Sequence, residues 1–297
     1  MKKILITGHK GFVGRHFVKH INNKLINTTI TGCDIKDGIQ NDCRNLFKVD
    51  DTVYDLVIHL AAIVGGRQTI ENDPLAVATD LSIDSEMFNW AVRTKQKKVV
   101  YFSSSAAYPI HLQTLENKYK LKEKDIDLLN IKTPDYSYGW SKLTGEMLAN
   151  YAKNNYGLNV YVFRPFSGFG FDQDLDYPFP SFLNRVLTKV ETFEIWGDGN
   201  QVRDFIFIDD VIKSVFKTVE LDIQNPINLG TGRAISFNEL ANIMYKVYGF
   251  YPKNGIKHLL DKPKGVMYRC SDNSLLSSYY QFEKELEDIL REHKKCL

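Results

Sequence analysis

The sequence predicts an α/β protein with a doubly wound parallel sheet and a smaller α/β lobe toward its C-terminal side. Apolar runs of strand length alternate with helical stretches through the first half of the chain. A glycine-rich turn stands between the first strand and the first helix, and an aspartate ends the second strand. Strands that alternate with helices favour βαβ units with right-handed crossovers, which build a Rossmann-like sheet.

The elements of the first half follow from hydrophobic periodicity. An apolar run over residues 3–7 predicts a strand, and the apolar residues after the glycine turn recur at helical spacing. Further β-rich runs cover residues 28–33, 55–60 and 98–102, and a helical stretch covers residues 81–93. We therefore predict a strand–turn–helix opening followed by alternating strands and helices.

A long helix is predicted over residues 136–156, because Gly157 provides a stop signal and a strand pattern resumes at 159–163. Its expected apolar face consists of Leu143, Met147, Leu148, Tyr151 and Ala152. A loop rich in Asp, Pro and aromatic residues begins near residue 171. We expect residues 1–170, rejoined by 201–230, to form the larger domain, and residues 171–200 and 231–297 to form the smaller lobe.

Composition narrows the classes of function. The chain has 297 residues, of which 43% are hydrophobic and 25% charged, as in ordinary globular proteins. A formal net charge of +2 falls short of the basic footprint of a nucleic-acid-binding protein. The four cysteines show no metal-binding spacing, and His16 and His20 lack a third ligand nearby. We therefore expect no metal site and no nucleic-acid partner. We also expect a cytoplasmic protein with no membrane association, because the apolar runs are too short for a leader or a span.

The glycines of the first turn predict a dinucleotide-binding site in the larger domain. Gly8, Gly11 and Gly14 leave the backbone bare where a pyrophosphate would approach the N-terminus of the first helix. Asp34 follows Gly14 by twenty residues and ends the second strand, where its carboxylate can accept hydrogen bonds from both ribose hydroxyls. This favours NAD over NADP, although the nearby Lys36 leaves the phosphorylated cofactor open. The alternative is that Asp34 only initiates a turn.

A candidate catalytic pair lies on the long helix. Tyr138 and Lys142 are four residues apart and therefore share a face. A tyrosine has a pKa of about 10, so its anion needs ~3–4 kcal/mol of stabilisation to act as a base near neutral pH. Lys142 can supply part of it, and a serine run at 103–105 ends a strand at the sheet edge where ligands bind. The alternatives are a helical surface pair and a polar strand end.

Together these residues resemble the extended short-chain dehydrogenase/reductases, the epimerase/dehydratase family that acts on nucleotide sugars. The resemblance includes Tyr108 and the stretch from Gly197 to Asp210, and it covers nearly the whole chain. It implies a homodimer, Ser104 as the third catalytic residue, and Arg203 as a clamp on the substrate diphosphate. The implied cofactor site consists of Gly8, Gly11, Phe12, Val13, Gly14, Asp34, Ile35, Lys36, Asp42, Cys43, Leu60, Ala61, Ala62, Tyr138 and Lys142. The implied substrate site consists of Ser104, Ser105, Ser167, Tyr177, Arg203 and Arg269.

The segments 60–66 and 104–109 resemble the GDP-sugar branch most, which includes GDP-fucose synthase. Enzymes of that type invert C3 and C5 with a cysteine and a histidine, whereas Ala106 and Tyr177 stand at the matching positions here. Ser167 stands where the family usually has asparagine. Dehydratases of the family carry two carboxylates at the serine run, and this chain lacks them there. The absence of the cysteine and histidine and the absence of the two carboxylates both favour chemistry confined to one carbon.

We therefore expect NAD-dependent oxidation of a nucleotide-diphosphate sugar at C4, with a GDP-hexose or GDP-heptose favoured, to supply a glycan precursor. Release of the ketone would make the enzyme a 4-dehydrogenase, which is the favoured hypothesis. Return of hydride to the opposite face would make it a 4-epimerase. A catalytically silent NAD-sensing protein is a third hypothesis, and the presence of Ser104, Tyr138 and Lys142 argues against it.

Overall fold

The computed structural model describes residues 2–63 and 71–297, apart from the side chains of residues 76–78. The described strands are β1 (Lys2–Thr7), β2 (Thr28–Cys33), β3 (Leu56–His59), β4 (Val99–Phe102), β5 (Lys120–Leu121), β6 (Val160–Pro165), β7 (Ser167–Phe169), β8 (Phe193–Trp196), β9 (Val202–Arg203), β10 (Phe205–Phe207), β11 (Ile227–Leu229), β12 (Ile235–Ser236), β13 (Ile256–Leu259) and β14 (Tyr268–Ser271). The helices are α1 (Phe12–Lys24), α2 (Cys43–Val49), α3 (Pro74–Arg93), α4 (Tyr136–Tyr156), α5 (Pro178–Leu187), α6 (Ile208–Glu220), α7 (Phe237–Tyr248), α8 (Ser274–Ser277) and α9 (Leu286–Lys295).

A six-stranded parallel sheet in the order β2-β1-β3-β4-β6-β11 forms the centre of the molecule. The chain leaves β1 toward one edge and then crosses back to build the other edge, so the predicted doubly wound sheet is confirmed. Ligands of such sheets bind outside the carboxyl ends of the strands, near the point where the order reverses. That point lies between β1 and β3.

Helices cover both faces of this sheet, as a fully buried parallel sheet requires. On one face, Phe17 and Ile21 of α1 share a core with Val211 and Val215 of α6. On the other face, the side chains of α2, α3 and α4 form a second core around Trp90. The indole N–H of Trp90 donates to the carbonyl of Asp50 at 2.6 Å, which satisfies its one polar atom.

A smaller lobe has its own hydrophobic core, built by α5, α7 and α9 with the short strands β8, β10 and β12. Its largest sheet has the order β12-β9-β14-β5. Two segments cross the expected boundary: β5 pairs with β14 of the lobe, and β10 pairs with β7 rather than with the main sheet. By contrast, β11 joins the main sheet beside β6.

The long helix has the predicted bounds and part of the predicted buried face, since Leu143 and Ala152 are buried. Tyr151 is 54% exposed, and Met147 and Leu148 are only partly buried. The buried face also carries polar and small residues, including Ser141, Lys142 and Glu146. Hydrophobic periodicity predicts this face only in part because α4 packs charged groups against the sheet edge.

None of the helices within residues 2–63 and 71–297 is long and apolar enough to cross a membrane.

Candidate active site

The glycine turn forms a tight connection between β1 and α1. Gly8 has a φ of +71°, and a Cβ there would lie 2.9 Å from the backbone nitrogen of Ala61. A Cβ on Gly14 would collide with the carbonyl oxygen of Gly8, so the helix can approach the turn only without side chains. Phe12 and Val13 occupy the first turn of α1, whose backbone N–H groups have no helical acceptor. The turn is therefore shaped to receive an anionic group such as a pyrophosphate.

Asp34 is held rigidly at the end of β2. Its Oδ2 accepts from the backbone nitrogen of Lys10 at 2.9 Å, and its Oδ1 accepts from that of Lys36 at 2.9 Å. Each carboxylate oxygen retains acceptor capacity after one such bond. The carboxylate therefore fits a ribose diol, and its charge disfavours a phosphate at the same place. Ile35 and Lys36 follow in a short 3₁₀ turn, where Ile35 is largely exposed.

The rest of the predicted cofactor site surrounds these two features. Thr7 Oγ1 accepts from the backbone nitrogens of Leu60 and Ala61, each at 3.2 Å, which fixes the loop after β3 against the glycine turn. Ala62 continues this loop, whereas residues 64–66 of the predicted motif lie outside the described residues. Asp42 caps α2 and pairs with Arg44 at 2.6 Å, which lowers the pKa of the carboxyl. Its neighbour Cys43 is buried, and burial raises the pKa of the thiol to about 12.

Tyr138, Lys142 and Ser104 come together at the carboxyl edge of the main sheet. Ser104 lies near enough to the phenol of Tyr138 to act on its pKa, and the Lys142 ammonium lies 5.9 Å from the centre of the Tyr138 ring. Burial raises the pKa of Tyr138, while Lys142 and Ser104 act in the opposite direction. Burial also opposes the charge of Lys142, but its anionic neighbours raise the pKa of Lys142 overall. The arrangement can stabilise a phenolate and hold a substrate hydroxyl between Tyr138 and Ser104.

Behind Lys142, the structure places two carboxylates that sequence reasoning missed. Asp80 and Asp84 are four residues apart on α3 and are both almost fully buried. Asp84 accepts from the hydroxyl of Tyr101 at 2.5 Å and contacts His59 Nε2 at 3.2 Å. Burial opposes the charge of Asp84, but Lys142 and these hydrogen bonds lower the pKa of its carboxyl. The i, i+4 spacing of two acids inside an apolar helix was the available signal.

A second missed cluster lies one turn further along α4. Arg164 makes a bidentate pair with Glu146, with distances of 2.9 and 2.6 Å, and both side chains are almost fully buried. Ser103 donates to Glu146 Oε1 at 2.5 Å. Tyr108, part of the family resemblance, accepts from Arg164 at 2.9 Å. The cluster locks the serine run to α4 and thereby positions Ser104 beside Tyr138.

Two of the predicted substrate residues lie on neighbouring strands of the smaller lobe. Arg203 of β9 and Arg269 of β14 are register partners on adjacent parallel strands, so their side chains emerge on the same face. The guanidinium of Arg203 contacts the carbonyls of Val202 and Val266 at 2.7 and 2.9 Å. Arg269 pairs with Asp135 at 2.7 Å, and Asp135 is the residue before α4 begins.

The other predicted substrate residues besides Ser104 are Tyr177, Ser105 and Ser167. Tyr177 directly precedes α5, and the nearby phenol of Tyr138 contributes to raising its pKa. Burial raises the pKa of Tyr177 to about 12, so it is a neutral phenol at physiological pH. Ser105 is buried in the turn after Ser104, and Ser167 begins β7. Within the described part of the chain, no three His, Cys, Asp or Glu side chains are grouped to hold a metal ion.

Comparison with known proteins decides the family. Residues 4–230 match the model of the NAD dependent epimerase/dehydratase family, which is more than half of the chain. The protein belongs to this family. The match confirms the predicted family, the enzyme class and the dependence on NAD.

Individual relatives agree with this assignment. The chain is 28% identical to GDP-mannose 3,5-epimerase 1 of Oryza sativa subsp. indica, over 92% of this chain and 75% of the relative. It is 25% identical to the solved UDP-N-acetylglucosamine 4-epimerase of Methanobrevibacter ruminantium M1, with a TM-score of 0.80 over 99% of this chain and 97% of the other. The fold also matches the Thermus thermophilus UDP-glucose 4-epimerase in complex with NAD, with a TM-score of 0.81, 18% identity and 99% coverage of both chains. The chain is thus similar to enzymes that act on GDP-linked and UDP-linked sugars.

Proposed function

We propose that this enzyme oxidises C4 of a nucleotide-diphosphate sugar, GDP-linked by preference, to a 4-keto sugar that is then released. The observation that carries the proposal is the grouping of Ser104, Tyr138 and Lys142 at the carboxyl edge of the sheet, beside the glycine turn and Asp34. A base and a cofactor site on one edge are what removal of a hydride and a proton from a secondary alcohol requires.

Each side chain has a defined part in this proposal. The phenolate of Tyr138 takes the proton of the C4 hydroxyl as the C–O bond becomes a carbonyl. Lys142 stabilises that phenolate, and Ser104 holds the reacting oxygen by a hydrogen bond. NAD, when bound, accepts the hydride that leaves C4. The sugar thereby loses a hydride and a proton, which together are two electrons and two protons, and Tyr138 finishes as a neutral phenol.

The substrate assignment rests on the charged residues of the smaller lobe and on the relatives. Arg203 and Arg269 present two guanidinium groups from one face, which suits a diphosphate bridge. Similarity to an enzyme named for GDP-mannose supports a GDP-linked sugar. Ala106 replaces an acid/base residue with a methyl group, so inversion at C3 and C5 is not expected.

A second candidate is a 4-epimerase, in which the ketone stays bound and hydride returns to the opposite face. The similarity to the Methanobrevibacter 4-epimerase over nearly the full length of both chains favours it. Both candidates share the first chemical step and the same three residues. They differ only in whether the ketone leaves before it is reduced.

The test is to incubate the purified enzyme with excess NAD and GDP-mannose, GDP-mannoheptose, UDP-glucose or dTDP-glucose, and to follow both NADH and the sugar. Net NADH with a keto sugar supports the dehydrogenase, and an epimer without net NADH supports the epimerase. Tyr138→Phe should lower the rate by ~10²–10⁴-fold. Tyr151→Phe, an exposed tyrosine of the same helix, is the matched control and should keep full activity. No change in any sugar would contradict the proposal.

A further inference from the structure

Asp80 is a buried carboxylate that has no place in the reaction described so far. It lies on α3, which packs against the catalytic helix α4, and it has no exposed surface. Its Oδ1 accepts from the backbone nitrogen of Ile63 at 2.6 Å, in the loop that follows β3. Its Oδ2 is buried without a hydrogen-bond partner among the residues that the structure describes. A buried carboxylate with an unused oxygen is costly, and such groups concentrate at functional sites.

The charges around Asp80 are unbalanced. The nearby cation is Lys142 of α4, whose ammonium lies 5.5 Å from the centre of the Tyr101 ring. The hydroxyl of Tyr101 donates to Asp84, which follows Asp80 by one helical turn on α3. The charge of Lys142 acts to lower the pKa of both carboxyls. Asp84 is fixed as an anion by Lys142, His59 and Tyr101. One ammonium therefore serves two carboxylates as well as the phenol of Tyr138.

Asp80 also acts on Tyr138 directly. Its negative charge raises the pKa of Tyr138, opposite to the effect of Lys142. Burial raises the pKa of Asp80 itself to about 6, against the pull of Lys142 and the bond to Ile63. Asp80 thus changes its charge within the range where enzymes work, whereas Asp84 stays ionised.

We infer that Asp80 is a positioning residue that competes with Tyr138 for the charge of Lys142 and so sets the pH at which Tyr138 becomes a base. Asp80 loses its proton near pH 6, whereas the pKa of Tyr138 is raised above its usual value, so Asp80 is an anion throughout the titration of Tyr138. Its negative charge therefore offsets part of the stabilisation that Lys142 gives to the phenolate of Tyr138. This inference rests on the proposed role of Tyr138 as the base.

The experiment measures the ionisation of Tyr138 itself rather than turnover. Tyrosine labelled at Cζ is incorporated into the NAD-loaded enzyme, and the signal that disappears in Tyr138→Phe is followed by NMR as the pH is raised. In Asp80→Asn this signal should titrate about one pH unit lower than in the unmodified enzyme, because a nearby negative charge has been removed. Glu86→Gln, which removes a carboxylate from the partly exposed side of the same helix, is the control and should leave the titration unchanged.

Equal titration of Tyr138 in Asp80→Asn and the unmodified enzyme would overturn the inference. A shift of the same size in Glu86→Gln would also overturn it, since any charge on α3 would then act alike. The result is independent of which sugar reacts. If no sugar is oxidised but the titration shifts, the proposed function fails and the electrostatic role of Asp80 stands. If a sugar is oxidised and the titration does not shift, only the role of Asp80 fails.

Discussion

Two buried charge clusters lie one turn apart along α4, and they are built on different plans. Glu146 and Arg164 pair through two hydrogen bonds, and the remaining groups of Arg164 reach Tyr108 and the carbonyl of Glu123. Around Lys142, one cation is shared by two carboxylates, and an oxygen of Asp80 has no partner among the described residues. The first cluster is saturated with hydrogen bonds and the second is not.

The difference shows that one helix carries both a cluster that stabilises the structure and a cluster that takes part in proton transfer. A saturated buried pair has one stable charge state, so it can hold Ser103 and the neighbouring Ser104 in place without taking part in proton transfer. In an unsaturated cluster, the protonated and deprotonated states differ less in free energy. A group that acts as a base near neutral pH requires such a small difference. Substitutions in the two clusters should therefore affect stability in different ways.

The largest effect is expected from breaking the saturated pair. Glu146→Leu leaves the buried guanidinium of Arg164 without its counter-ion, so the free energy of unfolding should fall by ~3–5 kcal/mol. Urea denaturation measures the change. Arg291→Ala, which removes an exposed pair with Asp288, is the control and should cost less than ~0.5 kcal/mol. A loss below ~1 kcal/mol in Glu146→Leu would show that the two clusters do not differ as described.

A smaller loss is expected at the fixed carboxylate of the Lys142 cluster. Asp84→Asn weakens the hydrogen bonds to Tyr101 and His59 and removes a counter-charge of Lys142, so unfolding should require ~1.5–3 kcal/mol less at neutral pH. Because the pKa of Asp84 is lowered in the folded state, its contribution is present above the unfolded pKa and is lost as the pH falls. The difference from the unmodified enzyme should therefore shrink in acid. An unchanged difference in acid would contradict this assignment.

The last effect has the opposite sign and belongs to Asp80. Folding raises the pKa of Asp80 from 3.8 to about 6, so the folded protein binds more protons than the unfolded chain between these values. The free energy of unfolding therefore falls as the pH rises through this window. Asp80→Asn keeps an oxygen for Ile63 and avoids the buried charge. It should be more stable by ~2–3 kcal/mol above pH ~6 and equally stable below pH ~4. A loss of stability at neutral pH would contradict the unsaturated state of this cluster.

The parts of the site that could be predicted depend on residues close together in the sequence. The glycine turn, Asp34, and the pair Tyr138 and Lys142 are each encoded by spacing within one element or one βαβ unit. The elements themselves were predictable for the same reason, and the long helix was predicted with its bounds of 136–156.

The missed parts depend on contacts between distant segments. Glu146 of α4 contacts Arg164 of β6, and Asp84 of α3 contacts Tyr101 and His59 of two adjacent strands, so no short motif contains these pairs. The expected apolar face of α4 was partly wrong because Tyr151 is exposed and Glu146 is buried. A charged residue is rarely buried without a partner, so its burial can be predicted only when that partner is known. Here each partner lies far away in the sequence.

The most direct test of the central claim is to place deuterium at C4 of the GDP-sugar that reacts and to locate it after turnover in deuterated and ordinary water. The account predicts a slower reaction with the label transferred to NADH, or a label kept at C4 of an epimer, and no solvent hydrogen at C3 or C5. Solvent hydrogen at C3 or C5, with no isotope effect at C4, would contradict the assignment of Tyr138, Lys142 and Ser104 to oxidation at C4.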